Sequence, residues 1–322
     1  MYDVITCGSA TVDAFIQTGD KLFVGRNGSV RVPFGSKIVV EDVVFAVGGG
    51  GTNTATAFAR LGLKVAFLGK TGQGTNSERV IKQLQKEKVD TRFVLRGNGR
   101  TGFSVVLDAY KRDRTILTFK GSNDQMRFED VSIRKLKTKW FYFCSMMNES
   151  YKTIERLAAY AKKHNIKVLF NPSAYLARKG MGFVTKMLLN TDILVLNKEE
   201  GNLLTGKKNV KQILQELVKK GPRIVIITDG ENGVHLYDTN YYYRLKPHKI
   251  KVVETTGAGD AFGAGFLVGY IKTGKVEFAL KLGLITAEEV IQHIGGKHNL
   301  PSWNSAMHIL NTKETKVMRM RI

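Results

Sequence analysis

The chain has 322 residues, of which 43% are hydrophobic, so it can bury a sizeable core, and its length fits two domains or one large α/β domain with an appendage. Fifty Lys and Arg residues against 28 Asp and Glu residues give a formal net charge of +22, which favours acidic partners such as nucleic acid. Because no zinc-finger spacing, RNA-binding signature or Arg/Gly-rich tract accompanies this charge, we attribute it to a generally basic, lysine-rich proteome and expect no specific nucleic-acid partner.

The cysteines and the apolar segments indicate the compartment. Cys7 and Cys144 lie far apart in apolar, strand-like stretches, so we expect both to be buried, reduced thiols. The first residues lack the basic segment of a secretory signal, and their apolar run stops at Gly8. The uncharged stretch 261–271 is shorter than the ~18 residues that a membrane span needs. We therefore expect a cytoplasmic protein with no membrane partner.

Short β-branched runs alternate with amphipathic helical patterns along most of the chain. Strands are predicted at 4–8, 65–69, 140–144, 168–170, 193–196 and 224–228. Helices are predicted at 76–88, 151–164, 210–220, 257–273 and 276–293. The strands are apolar without alternation, which predicts a parallel sheet covered by helices on both faces, a three-layer α/β fold. Thr75 and Glu78 have the spacing of a capping box at the start of the first helix.

Two regions depart from this pattern and predict a small β lid. One covers about 14–47, where apolar and polar residues alternate without a helical period. The other covers about 98–120, where "TGFSVVLD" and "RTILTF" flank the charged turn "AYKRDR" as in a hairpin. No internal repeat and no linker rich in Pro, Gly or Ser divides the chain. We therefore predict one domain over 1–322 with lid strands inserted at both places.

The segment "VVETTGAGDAFGAGF" (252–266) predicts a strand, a glycine turn and a helix. The backbone N–H groups of Gly257, Ala258 and Gly259 would point out of the helix N-terminus, where an anion binds well. A carboxylate beside a phosphate site repels the phosphate, unless it removes the proton of a nucleophile that attacks it. Asp260 therefore indicates phosphoryl transfer. The alternative is that its carboxylate only complements the helix dipole.

Two other phosphate-binding motifs fit less well. A dinucleotide fingerprint starting at Gly257 requires a second strand that carries an acid, whereas here a second helix follows the first. A P-loop ending in "GKT" (69–71) requires a glycine where Lys64 stands. A kinase site without a P-loop remains.

Five motifs resemble those of the ribokinase-like (PfkB) carbohydrate kinases and occur in the family's order. They are "CGSATVD" (7–13), "VGGGGTNTATAFARLG" (47–62), "LNKEEGNLLTG" (196–206), "IITDGENGV" (226–234) and "TTGAGDAFGAGF" (255–266). The resemblance implies a ribokinase-like fold with a β lid. It also implies an ATP-dependent phosphotransferase that phosphorylates a primary hydroxyl of a sugar or nucleoside.

The resemblance also implies roles for the residues that match its motifs. Asp260 would be the general base, and the amides of Gly257, Ala258 and Gly259 would form the anion hole for the γ-phosphoryl group. The nucleotide site would include Asn197, Thr228, Gly230, Gly257 and Gly259. Asn197 and Glu200 would organise Mg²⁺ through water, since Mg²⁺ dehydrates reluctantly. The acceptor would be held by Asp13, Gly48, Gly49 and Asn53, because carboxylates and amides bind hydroxyl groups.

Each of these residues also has a structural interpretation. Asn197 and Glu200 have the arrangement of a helix N-cap and a first-turn acid. Asp13 could cap a turn, and Asn53 could cap the helix that follows it. These interpretations remain open at the level of sequence.

Departures from the family pattern bear on the acceptor and on cations. Gly50 stands where many of these sugar kinases carry Lys, so that sugar contact is absent. Glu254 replaces the usual Asp that is thought to hold a monovalent cation, which puts activation by K⁺ in doubt. The acceptor could be a sugar, a sugar phosphate or a nucleoside, and lids of this family can pair as homodimers. The rival hypotheses are a catalytically silent sugar- or nucleotide-binding regulator and a nucleic-acid-binding protein on a kinase fold.

Overall fold

The computed structural model of the protein describes residues 1–17, 23–24, 30–31, 35, 37–108, 114–293, 295–297 and 299–321. Its strands are β1 (Tyr2–Cys7), β2 (Thr11–Gln17), β3 (Phe23–Val24), β4 (Val30–Arg31), β5 (Asp42–Gly48), β6 (Val65–Gln73), β7 (Asp90–Arg100), β8 (Gly102–Asp108), β9 (Arg114–Phe119), β10 (Thr138–Cys144), β11 (Lys167–Asn171), β12 (Ile193–Asn197), β13 (Ile224–Thr228), β14 (Val234–Tyr237), β15 (Tyr241–Leu245) and β16 (Val317–Arg321). Its α-helices are α1 (Gly50–Arg60), α2 (Thr75–Lys86), α3 (Asn148–Lys163), α4 (Ala174–Ala177), α5 (Met181–Leu188), α6 (Lys198–Thr205), α7 (Val210–Val218), α8 (Ala258–Thr273), α9 (Val276–Ile291) and α10 (Trp303–Thr312).

The main sheet contains ten strands in the order β16-β15-β14-β13-β12-β11-β10-β1-β6-β7. The strands from β13 to β7 are parallel, and β14, β15 and β16 continue the sheet in antiparallel pairing. Neighbouring residues of β1 show why these strands are continuously apolar. Val4 packs in the core on one face and Ile5 in the core on the other, and both are fully buried.

Helices cover both faces of this sheet, which confirms the predicted three-layer α/β fold. One core contains residues of α1, α2, α8, α9 and α10. The other contains residues of α3, α4, α5, α6 and α7. The parallel strands all present their carboxyl ends at the same edge, where α/β proteins bind ligands.

The capping box predicted for Thr75 and Glu78 is wrong. The helix α2 begins at Thr75 itself, and the N-cap residue is Gly74, which provides no side-chain cap. Gly74 has φ 86, a left-handed value that favours glycine, and its carbonyl accepts from the N–H groups of Ser77 and Glu78. A glycine with positive φ therefore starts this helix.

A second sheet of four strands has the order β5-β2-β8-β9. The pair β2–β8 is parallel, and the pairs β2–β5 and β8–β9 are antiparallel. These strands fall in or beside the two ranges predicted as a lid. Much of the range 14–47, and residues 109–113 of the predicted charged turn, lie outside the described residues. In the part of the chain that the structure describes, no helix is long and apolar enough to cross a membrane.

Candidate active site

A cavity of about 300 Å³, here called the cleft, opens at the carboxyl ends of the parallel strands. Six residues predicted for the site line it together, namely Asn197, Glu200, Thr228, Gly257, Gly259 and Asp260. They come from the ends of β12 and β13 and from the first turns of α6 and α8. The cleft therefore combines an acid, a glycine turn and a helix N-terminus in one cavity.

The glycine turn forms the N-terminus of α8. Gly257 is the N-cap residue with φ 77, and a Cβ atom on it would collide with the carbonyl oxygen of Gly296. Only glycine fits there, because the conformation is left-handed and another backbone lies against it. Gly257 and Gly259 line the cleft, whereas the N–H of Ala258 donates to Thr255 O at 3.2 Å within the turn. Two of the three residues predicted for the anion hole therefore line the cleft.

The other glycines of this motif have a packing role. A Cβ atom on Gly263 would collide with the hydroxyl of Tyr142, and one on Gly265 would lie 2.5 Å from Thr286 Oγ1. These two positions let α8 approach the sheet and α9 closely. The motif therefore joins two glycines that line the cleft to two glycines required by close packing.

Asp260 lies in the first turn of α8 and is half-buried. Its Oδ2 accepts a hydrogen bond from Asn53 Nδ2 at 2.9 Å. Burial raises the pKa of Asp260, and the hydrogen bond from Asn53 and the charge of Lys297 oppose that rise. A carboxylate with a raised pKa is a better proton acceptor, provided that it stays ionised at the working pH.

Asn197 and Glu200 form a capping box at the start of α6. Asn197 Oδ1 accepts from the N–H of Glu200 at 2.8 Å, and Glu200 Oε2 accepts from the N–H of Asn197 at 2.9 Å. Both residues also line the cleft. Burial raises the pKa of Glu200 to about 7. The capping interpretation and the position beside the cleft are therefore both present in the structure.

Asp13 extends from β2 in the second sheet. It accepts from the hydroxyls of Thr11 and Ser104, while its Oδ1 is buried and has no partner among the described residues. A Cβ atom on Gly48 would overlap Asp13 Oδ2, so glycine is needed there to admit the carboxylate. Burial raises the pKa of Asp13. A buried acceptor without a donor is costly, so Asp13 Oδ1 is suited to receive a hydroxyl group.

Asn53 and Gly49 lie where β5 of the second sheet passes into α1. Gly49 is the N-cap residue of α1 with φ 96. Asn53 lies within α1 and does not cap it, and its Oδ1 is a second buried acceptor without a partner in the described part of the chain. Because Asn53 also donates to Asp260, it connects the acceptor residues to the cleft.

A sequence model of the pfkB family of carbohydrate kinases matches residues 9–303. The chain belongs to this family. It is an enzyme that transfers phosphate from ATP to a sugar or nucleoside, as the sequence motifs predicted.

Relatives of this PfkB kinase match along most of their length. An uncharacterized sugar kinase of Archaeoglobus fulgidus is 29% identical over 248 residues, covering 76% of this chain and 97% of the relative. A ribokinase of Lactococcus lactis is 28% identical over 304 residues and 94% of each chain. The solved structure of Arabidopsis thaliana ribokinase complexed with ribose and ATP has a TM-score of 0.82 at 22% identity, covering 96% of this chain and 98% of that chain. This likeness confirms the ribokinase-like fold.

Of the two residues at the end of β13 and just after it that were predicted for the nucleotide site of this PfkB kinase, Thr228 lines the cleft and Gly230 does not. Thr228 ends β13 and lines the cleft. Gly230 begins a 3₁₀ turn with φ 52 and is not among the described residues that line the cleft. Between them, Asp229 forms an ion pair with Lys198 at 2.9 Å.

The site residues predicted from the sequence did not include part of the cleft wall. The missed residues are Ser9, Gly50, Lys120, Cys144, Ser145, Asn171, Pro172, Ser173, Tyr175, Val195 and Leu196. Lys120 follows β9 directly, and its Nζ lies 4.9 Å from the centre of the Tyr175 ring. Many of the others follow or end β10, β11 and β12, so the carboxyl ends of the predicted strands could have indicated them.

Proposed function

We propose that this kinase phosphorylates a primary hydroxyl of a sugar or nucleoside, with Asp260 as the general base. The observation that carries the proposal is that Asp260 lies in one cleft with the glycine turn at the N-terminus of α8. Its hydrogen bond to Asn53 links it to the buried acceptor Asn53 Oδ1, and Asp13 Oδ1 is a second buried acceptor without a donor among the described residues. A base, an anion site and acceptors for hydroxyl groups are thus combined.

The reaction follows from these positions. Asp13 Oδ1 and Asn53 Oδ1 accept hydroxyl groups of the substrate and orient it. Asp260 takes the proton of the attacking hydroxyl group while the hydroxyl oxygen forms a bond to the γ-phosphorus of ATP. The bond between the γ-phosphorus and the bridging oxygen of the β-phosphate breaks, and ADP leaves. The amides of Gly257 and Gly259 stabilise the charge on the migrating phosphoryl group.

An acceptor panel tests this function. Sugars, sugar phosphates and nucleosides are each incubated with ATP or another nucleoside triphosphate, and both ADP formation and the phosphorylated product are measured. Ribose is a sensible first acceptor, because the Lactococcus lactis relative is a ribokinase. Phosphorylation of a primary hydroxyl supports the proposal. Binding of sugar and ATP without turnover would instead support a silent regulator.

We propose that Mg²⁺ is organised by Asn197 and Glu200 through water. Both residues line the cleft and offer only oxygen ligands, which Mg²⁺ prefers. The described residues contain no cluster of three or more His, Cys, Asp and Glu that could hold a metal alone. This suits Mg²⁺, which binds through few carboxylates together with substrate phosphates, and which would neutralise phosphate charge when bound.

Replacing Glu200 with Gln is expected to raise the Mg²⁺ concentration that gives half-maximal activity. The substitution removes a negative charge from the cleft but keeps the side-chain oxygen that caps α6. Since the pKa of Glu200 is raised to about 7, its negative charge is present above pH 7 and lost as the pH falls below it. The wild-type Mg²⁺ requirement should therefore rise below pH 7, and that of E200Q should not. Mg²⁺ titrations at pH 6 and 8 measure this.

The matched control is Glu199→Gln, in the same turn of α6. The Glu199 side chain is 69% exposed and lies 3.7 Å from Arg178, so E199Q should keep the wild-type Mg²⁺ requirement at pH 8, where Glu200 is ionised in both proteins. An unchanged requirement in E200Q would contradict the assignment of Glu200.

We propose that the enzyme does not require K⁺. Glu254 Oε2 accepts from the N–H of Gly295 at 2.6 Å, so one carboxylate oxygen is held by the backbone. We expect rates in NaCl, KCl and tetramethylammonium chloride at equal ionic strength to agree within about twofold, which is close to the spread expected from general salt effects. A several-fold activation by K⁺ alone would refute this.

We propose that the second sheet is the lid and that two copies of the chain pair through it. Its strand register puts Asp13 on one face and Phe45, Leu117 and Phe119 on the other. These three side chains are 52%, 58% and 54% exposed. Exposed apolar side chains on an edge strand favour association with a second copy. Sedimentation velocity should give a dimer for the wild type and a monomer for Leu117→Asp; a monomeric wild type excludes the pairing.

We further propose that the chain forms one domain over 1–322 and works in a reducing, cytoplasmic compartment. The last strand, β16, belongs to the same sheet as β1, which supports a single domain. Cys7 and Cys144 are both buried and free, which supports a reducing environment. No specific nucleic-acid partner is proposed, and attraction by charge alone should fade steeply with salt.

A further inference from the structure

Lys297 is a buried lysine next to the active site that no sequence motif indicated. It is 8% exposed, and its Nζ donates to Thr52 Oγ1 at 3.1 Å. Among the described residues, this hydroxyl is its only hydrogen-bond partner, and no carboxylate lies within salt-bridge distance of it. Burying an ammonium group against one neutral partner is unfavourable. A lysine that is buried at this cost in desolvation, with no ion pair to offset it, is a candidate functional residue.

The segment that carries Lys297 lies against the catalytic turn. A Cβ atom on Gly296 would lie 3.1 Å from Asn53 Nδ2 and 3.3 Å from Gly257 Cα. The partner of Lys297, Thr52, precedes Asn53 in α1, and Asn53 donates to Asp260. Two hydrogen bonds of neighbouring α1 residues, Lys297–Thr52 and Asn53–Asp260, therefore connect the ammonium group of Lys297 to the proposed general base.

We propose that Lys297 is a positioning residue of phosphoryl transfer, an enclosed cation that keeps the carboxylates of Asp260 and Asp13 ionised. The proposal rests on the proposed function of Asp260. Lys297 does not border the cleft, so its effect is electrostatic and not through contact with substrate. In a site of low polarity, such an effect is stronger than in water.

The charged groups around these residues agree with this role. Besides burial, which lowers the pKa of Lys297, the charges of Asp13 in β2, Glu87 after α2 and Asp260 in α8 favour its charged form and so raise that pKa, and the charge of Arg60 at the end of α1 lowers it. Arg60 and Glu87 bond each other at 2.7 Å, so their charges largely compensate. Asp13 and Asp260 are left as the carboxylates on which the Lys297 charge acts.

The groups that face the two carboxylates complete this environment. Asp260 is approached by Asn53 and Lys297, and its own charge acts on Tyr142, Cys144 and Glu200. Asp13 is approached by Thr11, Ser104, Lys297 and Glu254. Lys297 is thus a cation whose charge acts on both carboxylates.

The protonation state of Lys297 sets the pH range in which it acts on Asp260. Burial lowers the pKa of Lys297 to about 7, so its ammonium is charged at pH 6 and mostly neutral at pH 8.5. At pH 6 the positive charge lowers the pKa of Asp260 and keeps it a base. As the pH rises, Asp260 ionises without the help of this charge. Lys297 should therefore matter on the acid side of the pH–rate profile and little on the alkaline side.

Lys297→Met tests this, because methionine fills a similar space without a charge. In protein labelled with ¹³C at aspartate, the carboxyl pKa of Asp260, assigned with D260N, should be higher by about one pH unit in K297M. The value of kcat/KM should fall by up to about tenfold on the acid limb of the pH–rate profile and stay within about twofold on its alkaline plateau. Lys316→Met, which removes an exposed positive charge, should change neither. Lys297→Arg should restore part of the activity at pH 6.

The possible results separate the hypotheses. An equal carboxyl pKa in wild type and K297M, or a loss of activity that is uniform over pH, overturns the proposal and leaves Lys297 a structural residue. If K297M does not fold, Lys297→Gln decides, since this neutral side chain should move the acid limb to higher pH if the role holds, and an unmoved limb overturns it. A shifted carboxyl pKa in an enzyme that phosphorylates no acceptor would refute the proposed function but support the effect of Lys297 on ionisation.

Discussion

Replacing Asp260 with Asn is expected to lower kcat by about 10²–10⁴-fold, while the acceptor Kd stays within about twofold. An amide cannot take the proton of the attacking hydroxyl, but its oxygen can still accept from Asn53 Nδ2 as Asp260 Oδ2 does at 2.9 Å. The loss corresponds to about 3–5 kcal/mol of transition-state stabilisation. Steady-state kinetics and calorimetric titration of acceptor measure the two quantities separately.

The control for this substitution is Asp3→Asn. Asp3 lies in β1 at the opposite edge of the same sheet, where it pairs with Lys139 at 2.8 Å. D3N removes a carboxylate without touching the cleft, so it should keep the wild-type kcat. If D260N kept a turnover close to that of the wild type, Asp260 would not be the base.

Gly257→Ala is expected to lower kcat by about 10²–10³-fold, the effect of losing one donor to the migrating charge. It should also lower the free energy of unfolding by about 1–3 kcal/mol, because a left-handed residue gains a Cβ atom. Gly257 has φ 77, and the new atom would meet the carbonyl of Gly296, so the turn must shift. Kinetics and urea denaturation measure the two effects.

The matched control is Gly182→Ala in α5. Gly182 has open space around the position of a Cβ atom and lies within a helix, so alanine should leave kcat unchanged and stabilise the protein by up to about 1 kcal/mol. A G257A enzyme with wild-type kcat would show that the amides of this turn do not hold the phosphoryl group in the transition state.

Local patterns predicted the elements of the fold well. The strand predicted at 224–228 is β13 (Ile224–Thr228), and the helices predicted at 257–273 and 276–293 are α8 and α9. These segments are apolar because they are buried on both sides, and that burial is visible in a run of neighbouring residues. Thr75 shows the limit: its spacing to Glu78 suits a capping box, but Gly74 before it takes the N-cap position.

Contacts between distant parts of the chain could not be predicted in this way. Asn53 and Asp260 are 207 positions apart, and Lys297 and Thr52 are 245 positions apart. The two residues of each pair lie in different segments, so no periodic pattern within one segment contains both. Only the packing of α1 against α8 and against the segment 295–297 brings the residues of each pair together. Lys297 in particular follows Gly295 and Gly296, and no sequence motif includes it.

The residues Asn197 and Glu200 show that two interpretations of one motif need not exclude each other. The sequence left open whether they cap a helix or border a ligand. In the structure they cap α6 and also line the cleft, because the first turn of α6 begins where β12 ends. A helix start at this edge of a parallel sheet supplies polar groups to the helix and to the ligand alike.

The position of β1 has a consequence for synthesis on the ribosome. This strand precedes both of its neighbours in the chain and lies between β6 and β10, so its second neighbour is not complete until Cys144 has been added. Pairing over such a separation in sequence is slow, and the nascent chain must keep apolar side chains such as Val4 and Ile5 from aggregating meanwhile. Fragments that end before residue 144 should therefore stay dependent on chaperones, however well their own helices form.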